Sequence, residues 1–261
     1  PDQYLRFKAE RSAPFHDLVE LVTPVTAPRV VDLGCGTGEL TASLHGQWDG
    51  AQTLGIDNSA AMLEQAAGFA GNELRFAVGD IADFPHGLSV RDAEGPWDVV
   101  FSNAAMQWVP DHPGVLSRWS QCLAPEGQLA VQVPANSDHV SHRMADEVAH
   151  EPRFMEAFGG EPPPDPVRES VLAPEVYAQL LDDLDFRHQT VRLQVYGHHL
   201  ASSGDVVEWV KGTTLNRYRR LLSPNDFDAF VDRYRSHLLE TIGDQAPYFY
   251  AFKRILMWAR R

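Results

Sequence analysis

The chain has 261 residues, is 44% hydrophobic and carries a formal charge of −14. That composition supports a substantial buried core and argues against disorder. The acidic balance argues against a nucleic-acid partner, whose phosphates need a basic face. No run of about 18 apolar residues is present, so no membrane span is expected.

In chain order, residues 1–27 read as two short amphipathic helices, 4–12 and 15–22, closed by Pro24 and Pro28. Residues 29–33 read as a buried strand. Gly34, Gly36 and Gly38 follow in a G-x-G-x-G turn, with Asp32 two residues before the first glycine. A helix is expected over about 37–45. Such a turn lets the backbone approach a ligand closely, and the helix start offers free N–H groups. The spacing differs from the G-x-G-x-x-G of dinucleotide folds. Residues 51–57 form the second expected strand, ending in Asp57, where the acid can accept from both hydroxyls of a ribose. Asn58 and Ser59 cap a helix to about 68, with Met62 and Leu63 on one face.

Residues 74–80 read as a third strand ending in Asp80, and 97–102 as a fourth, followed by Asn103-Ala-Ala-Met-Gln-Trp-Val-Pro110. A helix over 114–123 and a strand over 129–133 complete this half. Strands alternating with helices give an α/β class: a doubly wound, mostly parallel sheet, Rossmann-like. Gly34, Asp57, Asp80 and Asn103 then share the C-terminal sheet edge, where such folds bind ligands. Downstream, 136–158 looks helical and 159–166 is a proline-rich loop. Residues 174–184 read as a helix, 187–200 as a strand, 205–222 and 224–242 as helices, and 248–259 as a last strand. That makes seven strands in one domain, with 136–172 and 201–245 as helical cap insertions.

Cys35 and Cys122 give no disulfide framework. No secretory signal is visible from Pro1 onward, so a cytoplasmic setting is expected. His139, His142 and His150 share a polar segment without a partner acid, so no metal is expected.

Asp32-Leu-Gly-Cys-Gly-Thr-Gly38, Gly55-Ile-Asp57, Gly79-Asp80 and Phe101-Ser-Asn103 together resemble the class I S-adenosylmethionine-dependent methyltransferases. Residues 4–12, 103–112 and 129–136, with Glu208-Trp-Val210 and Phe252-Lys-Arg254, narrow the resemblance to the trans-aconitate methyltransferase family. The loops 84–96 and 159–168 are longer than that pattern. The resemblance implies S-adenosylmethionine as cofactor. It places the amino-acid end and ribose on Gly34, Cys35, Gly36 and Gly38, the ammonium near Asp32, Asn103 and Ala104, the ribose diol on Asp57 and Asn58, and adenine against Met62, Asp80 and Ile81.

It also implies methyl transfer to one carboxylate of trans-aconitate. A carboxylate is already ionised at neutral pH, so alignment replaces a general base. Gln107 and Trp108 are the expected aligning residues. A polycarboxylate needs cations, and Arg11, His198, His199, Arg217 and Arg254 are the candidates. The other readings of the residues are a methyltransferase for a different carboxylic acid or a natural-product hydroxyl, a non-catalytic S-adenosylmethionine-binding protein, and a nicotinamide-dependent oxidoreductase, against which the glycine spacing argues.

Overall fold

The computed structural model describes residues 8–88 and 95–261, with side chains from Ser12 onward. Seven strands form one sheet in the order β3-β2-β1-β4-β5-β7-β6. They are β1 (Arg29–Leu33), β2 (Gln52–Asp57), β3 (Leu74–Val78), β4 (Trp97–Asn103), β5 (Leu123–Pro134), β6 (His188–Leu200) and β7 (Tyr248–Arg260). β1 pairs in parallel with β2 and β4, β2 with β3, and β4 with β5. β7 runs antiparallel to β5. The strand order reverses between β1 and β4, so the loops leaving these two strands open a crevice at their C-terminal ends.

The chain divides into two compact units. Among the described residues, one holds Ala13–Pro134, Ser170–Gln194 and Arg254–Arg261; the other holds 8–12, Ala135–Glu169 and Val195–Lys253. The first is built on the sheet. Its central strands are buried on both faces: Val30, Val31, Leu33, Val99, Val100, Phe101, Ala130 and Val131 are all fully buried. Parallel strands covered on both sides require such continuous apolar runs. Helices α1 (Lys8–Leu21), α2 (Glu39–His45), α3 (Ala60–Ala66), α4 (His112–Gln121) and α8 (Pro174–Asp183) lie wholly or largely in this unit.

The second unit has its own core. It contains α5 (Val140–Ala149), α6 (Pro152–Ala157), most of α7 (Pro166–Ser170), α9 (Gly204–Lys211), α10 (Asn216–Arg219) and α11 (Pro224–Ile242). Phe154, Trp209, Tyr218, Phe230, Tyr234 and Tyr250 are the large buried side chains of that core.

Three sequence expectations change. The N-terminal region forms one helix from Lys8, running through Pro14, because burying Phe15 and Leu18 outweighs the lost backbone bond. The segment 136–158 divides at Pro152, which starts a new helix. The segment 205–222 divides at Gly212, where the Thr213 hydroxyl bonds back to the carbonyls of Trp209 and Val210.

Gln128 on β5 fastens the sheet-based unit at one point. Its Oε1 accepts from the Thr23 N–H and Trp258 Nε1, and its Nε2 donates to the Thr23 carbonyl, each at 2.8 Å. The residue is 1% exposed. Gln128→Leu strands three polar groups at a cost of about 1–3 kcal/mol for each left unsatisfied. We expect a loss of at least about 2 kcal/mol in denaturant unfolding. A loss below about 1 kcal/mol would mean that water replaces the amide.

Candidate active site

After Leu33 the chain turns with Gly34, Gly36 and Gly38 at φ 88°, 56° and 77°. Space as well as backbone conformation demands glycine at two of them. A Cβ on Gly34 would stand 2.1 Å from Ala105 Cβ, and one on Gly38 would stand 2.8 Å from Ala66 Cβ and Phe76 Cζ. The turn is pinned to the end of β2. The Gly34 and Cys35 N–H groups donate to the Ile56 carbonyl at 2.8 and 2.9 Å, and the Gly36 N–H donates to Asp57 Oδ2 at 2.9 Å. Asp57 Oδ1 accepts from the Ser59 N–H at 2.9 Å. A carboxylate has about four acceptor sites, so two bonds leave Asp57 able to accept from a ligand diol. Asn58 and Met62 are exposed just beyond it.

Asp32 lies on β1, two residues ahead of Gly34. Its carboxylate is 4% exposed and accepts from the Thr41 hydroxyl at 2.6 Å, so it braces α2 from behind the turn. Burial pushes its pKa from 3.8 up to about 7, the Thr41 hydrogen bond opposes that shift and the nearby Asp57 adds to it. Cys35 is buried in the same turn, and burial, with Asp32 and Asp57 close by, pushes its thiol pKa far up. Neither cysteine is activated, since burial also raises Cys122.

The adenine-side candidates lie after β3. Asp80 is exposed and its Oδ1 accepts from the Ala82 N–H at 2.9 Å, while Ile81 is buried. α4 holds this loop. Trp119 Nε1 donates to the Ile81 carbonyl at 3.0 Å, and Arg118 donates twice to the Ala82 carbonyl, at 3.0 and 2.8 Å. Sequence patterning misses both residues because they look like ordinary helix positions.

At the end of β4 the Ala104 N–H donates to the Gln132 carbonyl at 2.9 Å, and Ala104 takes φ 55°. Gln107 Nε2 donates to the Ala104 carbonyl at 2.7 Å. That leaves two buried side-chain carbonyl oxygens without a partner, Asn103 Oδ1 and Gln107 Oε1. Buried acceptors in this state call for a donor. An ammonium group meets that need at Asn103 Oδ1, and together with the glycine turn and Asp57 that atom fits the amino-acid and ribose parts of S-adenosylmethionine.

The acceptor candidates divide. Arg254 is 9% exposed and Nη1 donates to Gln132 Oε1 at 3.2 Å, which brings it to the strand that holds Ala104. Gln107 is buried and Trp108 is 57% exposed. Arg217, in the other unit, has its charge compensated inside the protein: Nη1 lies 2.9 Å from Asp165 Oδ2, and Nη2 donates to the Tyr218 hydroxyl. His198 is buried against Trp209, with ring centroids 4.9 Å apart, and His199 is exposed beside Phe249. The Arg11 side chain lies outside the described residues. His139 and His142 share the Ser141 hydroxyl at 2.9 and 3.1 Å, and burial lowers the His142 pKa to about 4. Among the described residues no group of three His, Cys, Asp or Glu side chains is arranged to hold a metal ion, and no helix is long and apolar enough to cross a membrane.

A family model described as a methyltransferase domain matches residues 5–189. A trans-aconitate 2-methyltransferase of Deinococcus radiodurans is 42% identical, with the alignment covering 100% of this chain and 97% of that protein. One of Streptomyces avermitilis is 35% identical, covering 100% and 96%. A Haemonchus contortus phosphoethanolamine N-methyltransferase 2 solved in complex with S-adenosyl-L-methionine superposes with a TM-score of 0.56 at 18% identity, covering 95% of this chain and 52% of that one. That likeness speaks to the fold alone.

The raised Asp32 pKa has a measurable consequence. The folded protein keeps this proton at pH values where the unfolded chain has lost it, so Asp32 costs stability progressively as pH rises from about 4 to about 7. Asp32→Asn carries no such cost. The stability of the wild type minus that of the Asp32→Asn variant should therefore fall across that window, by up to about 1.4 kcal/mol per pH unit at its steepest. A flat difference in urea melts across that window would return the carboxyl to an ordinary pKa.

Proposed function

The chain belongs to the trans-aconitate 2-methyltransferase family of class I S-adenosylmethionine-dependent methyltransferases, and we propose that it forms a monomethyl ester of trans-aconitate. The observation that carries this reading is the 42% identity to a relative of that name over the whole chain, not over the cofactor-binding half alone. S-adenosylmethionine, when bound, supplies a sulfonium methyl carbon that an acceptor carboxylate oxygen displaces in line, giving a methyl ester and S-adenosylhomocysteine.

In this reading the protein's part is binding and alignment. The Gly34–Gly38 turn accommodates the cofactor backbone at close range, Asp57 accepts from the ribose hydroxyls, and Asn103 Oδ1 accepts from the ammonium. Asp80 and the Ile81 N–H face the adenine edge, and Met62 its apolar surface. Gln107 and Trp108, on the turn after β4, align the acceptor. Arg254 meets one of its carboxylates, held in orientation by Gln132. No side chain need remove a proton, because the attacking carboxylate is ionised at neutral pH. Alignment of this kind is worth on the order of 7–11 kcal/mol of barrier. Both cysteines are unpaired, in keeping with a cytoplasmic setting.

Three measurements test the reading. In a methyl-transfer assay across trans-aconitate, cis-aconitate and citrate, trans-aconitate should give the highest kcat/KM; no ester from any tricarboxylate, with cofactor binding intact, would sink it. Asp57→Ala should weaken cofactor binding by about 1–3 kcal/mol in calorimetry. Unchanged affinity would remove the ribose assignment. Arg254→Ala should raise KM for trans-aconitate far more than it changes cofactor affinity; an unmoved KM would make Arg254 structural.

A further inference from the structure

α4 grips the sheet edge at both of its ends. Its C-terminal half holds the Ile81 and Ala82 carbonyls through Trp119 and Arg118. Its first residue, His112, reaches the other side of the crevice and holds the turn that carries Gln107 and Trp108. His112 Nε2 lies 2.9 Å from the Met106 carbonyl, and His112 Nδ1 lies 2.6 Å from the Tyr177 hydroxyl on α8. The Leu172 N–H meets the same hydroxyl at 3.1 Å.

Both ends of this hydrogen-bonded chain have fixed polarity. A backbone N–H only donates, and a carbonyl only accepts. Leu172 therefore donates to the Tyr177 oxygen, and Nε2 must carry the proton given to Met106. Nδ1 is then a lone pair, and the Tyr177 O–H donates into it. One tautomer and one hydroxyl rotamer satisfy every group. His112 is 1% exposed and Tyr177 is fully buried. Burial lowers the His112 pKa, against opposing contributions from the Met106 and Val109 backbone and from Asp111. The Met106 carbonyl also accepts from the Val109 N–H at 3.0 Å, and the Trp108 N–H donates to the Ala105 carbonyl at 3.1 Å. The short turn has few other bonds to hold it.

We propose that His112 and Tyr177 are positioning residues for the acceptor: the Leu172–Tyr177–His112–Met106 chain sets where Gln107 and Trp108 stand, and so which carboxylate of the acceptor faces the methyl group. The functional half of this statement rests on the acceptor reading above; the structural half does not. A displacement of the aligning turn by about 1 Å is enough to cost about 100-fold in rate. The cofactor contacts at Gly34–Gly38 and Asp57 lie on other strands, and Asn103 is held within β4 itself, ahead of the turn, so they should be spared.

The experiment uses the full chain and three variants. Tyr177→Phe removes the hydroxyl that orients the imidazole, His112→Phe removes the donor to Met106, and His112→Gln returns an N–H donor near the Nε2 position. Amide hydrogen exchange in the unliganded protein should rise about 10-fold or more at Trp108 and Val109 in the two Phe variants, with Gly34 and Gly36 unchanged. With trans-aconitate, kcat should fall about 10- to 100-fold while cofactor affinity stays within about twofold. The ratio of the regioisomeric monomethyl esters should shift by about threefold or more, and His112→Gln should recover part of both. The proposal is overturned if exchange at 108–109, kcat and the ester ratio all stay at wild type. It is equally overturned if the ester ratio is unmoved while exchange rises, or if cofactor affinity falls in step with kcat. Should the wild type esterify no tricarboxylate, the acceptor reading fails, and exchange at 108–109 alone decides whether the chain positions the turn.

Discussion

The site depends on one set of hydrogen bonds, those that tie the glycine turn after β1 to the last residues of β2. The Gly34 and Cys35 N–H groups end on Ile56, and the Gly36 N–H ends on Asp57. Without them a turn with three residues at positive φ would sample many conformations, since glycine loses more freedom on ordering than any other residue. Asp57 serves twice in consequence. Its carboxylate holds the turn and the start of α3 through Gly36 and Ser59, and on the proposed reading its remaining acceptor capacity is what a ligand diol meets. Ala105 closes on Gly34 from the end of β4, so the two strands flanking the switch point are packed at the site itself.

Much of this is legible in the sequence because it rests on local rules. Strand–glycine–helix spacing and acids at the ends of successive strands follow from how a parallel sheet is wound, and the sheet and the cofactor edge can be read from them. What the sequence does not show is non-local. Thr41, whose hydroxyl donates to Asp32, is one more helical residue in the pattern. The Asp165 that pairs with Arg217 lies 52 residues earlier in a proline-rich loop. Arg118, Trp119 and Tyr177 carry no motif at all, and His112 only closes the stretch 103–112; their importance comes from which group each reaches. The helix breaks at Pro152 and Gly212 are readable by capping rules, but apolar periodicity running through them hides the division.

Charge sets a final constraint. With a formal charge of −14 the chain favours a cationic sulfonium cofactor and disfavours a polycarboxylate, so the two ligands ask opposite things of one crevice. On the proposed reading the cofactor side answers with acceptors: Asp57, Asp80 and the buried Asn103 Oδ1, which has no partner within the protein. Asp32, whose pKa burial raises to about 7, carries only part of a third negative charge there at neutral pH. On the acceptor side the answer has to be local and oriented, because the net field repels the ligand. A buried guanidinium on β7 that donates to Gln132, the residue whose backbone also receives Ala104, places cation and aligning turn on one hydrogen-bonded frame. On the proposed reading, selectivity for a carboxylate acceptor follows from geometry at β4, β5 and β7, where a displaced Arg254 and a displaced Gln107 would fail together.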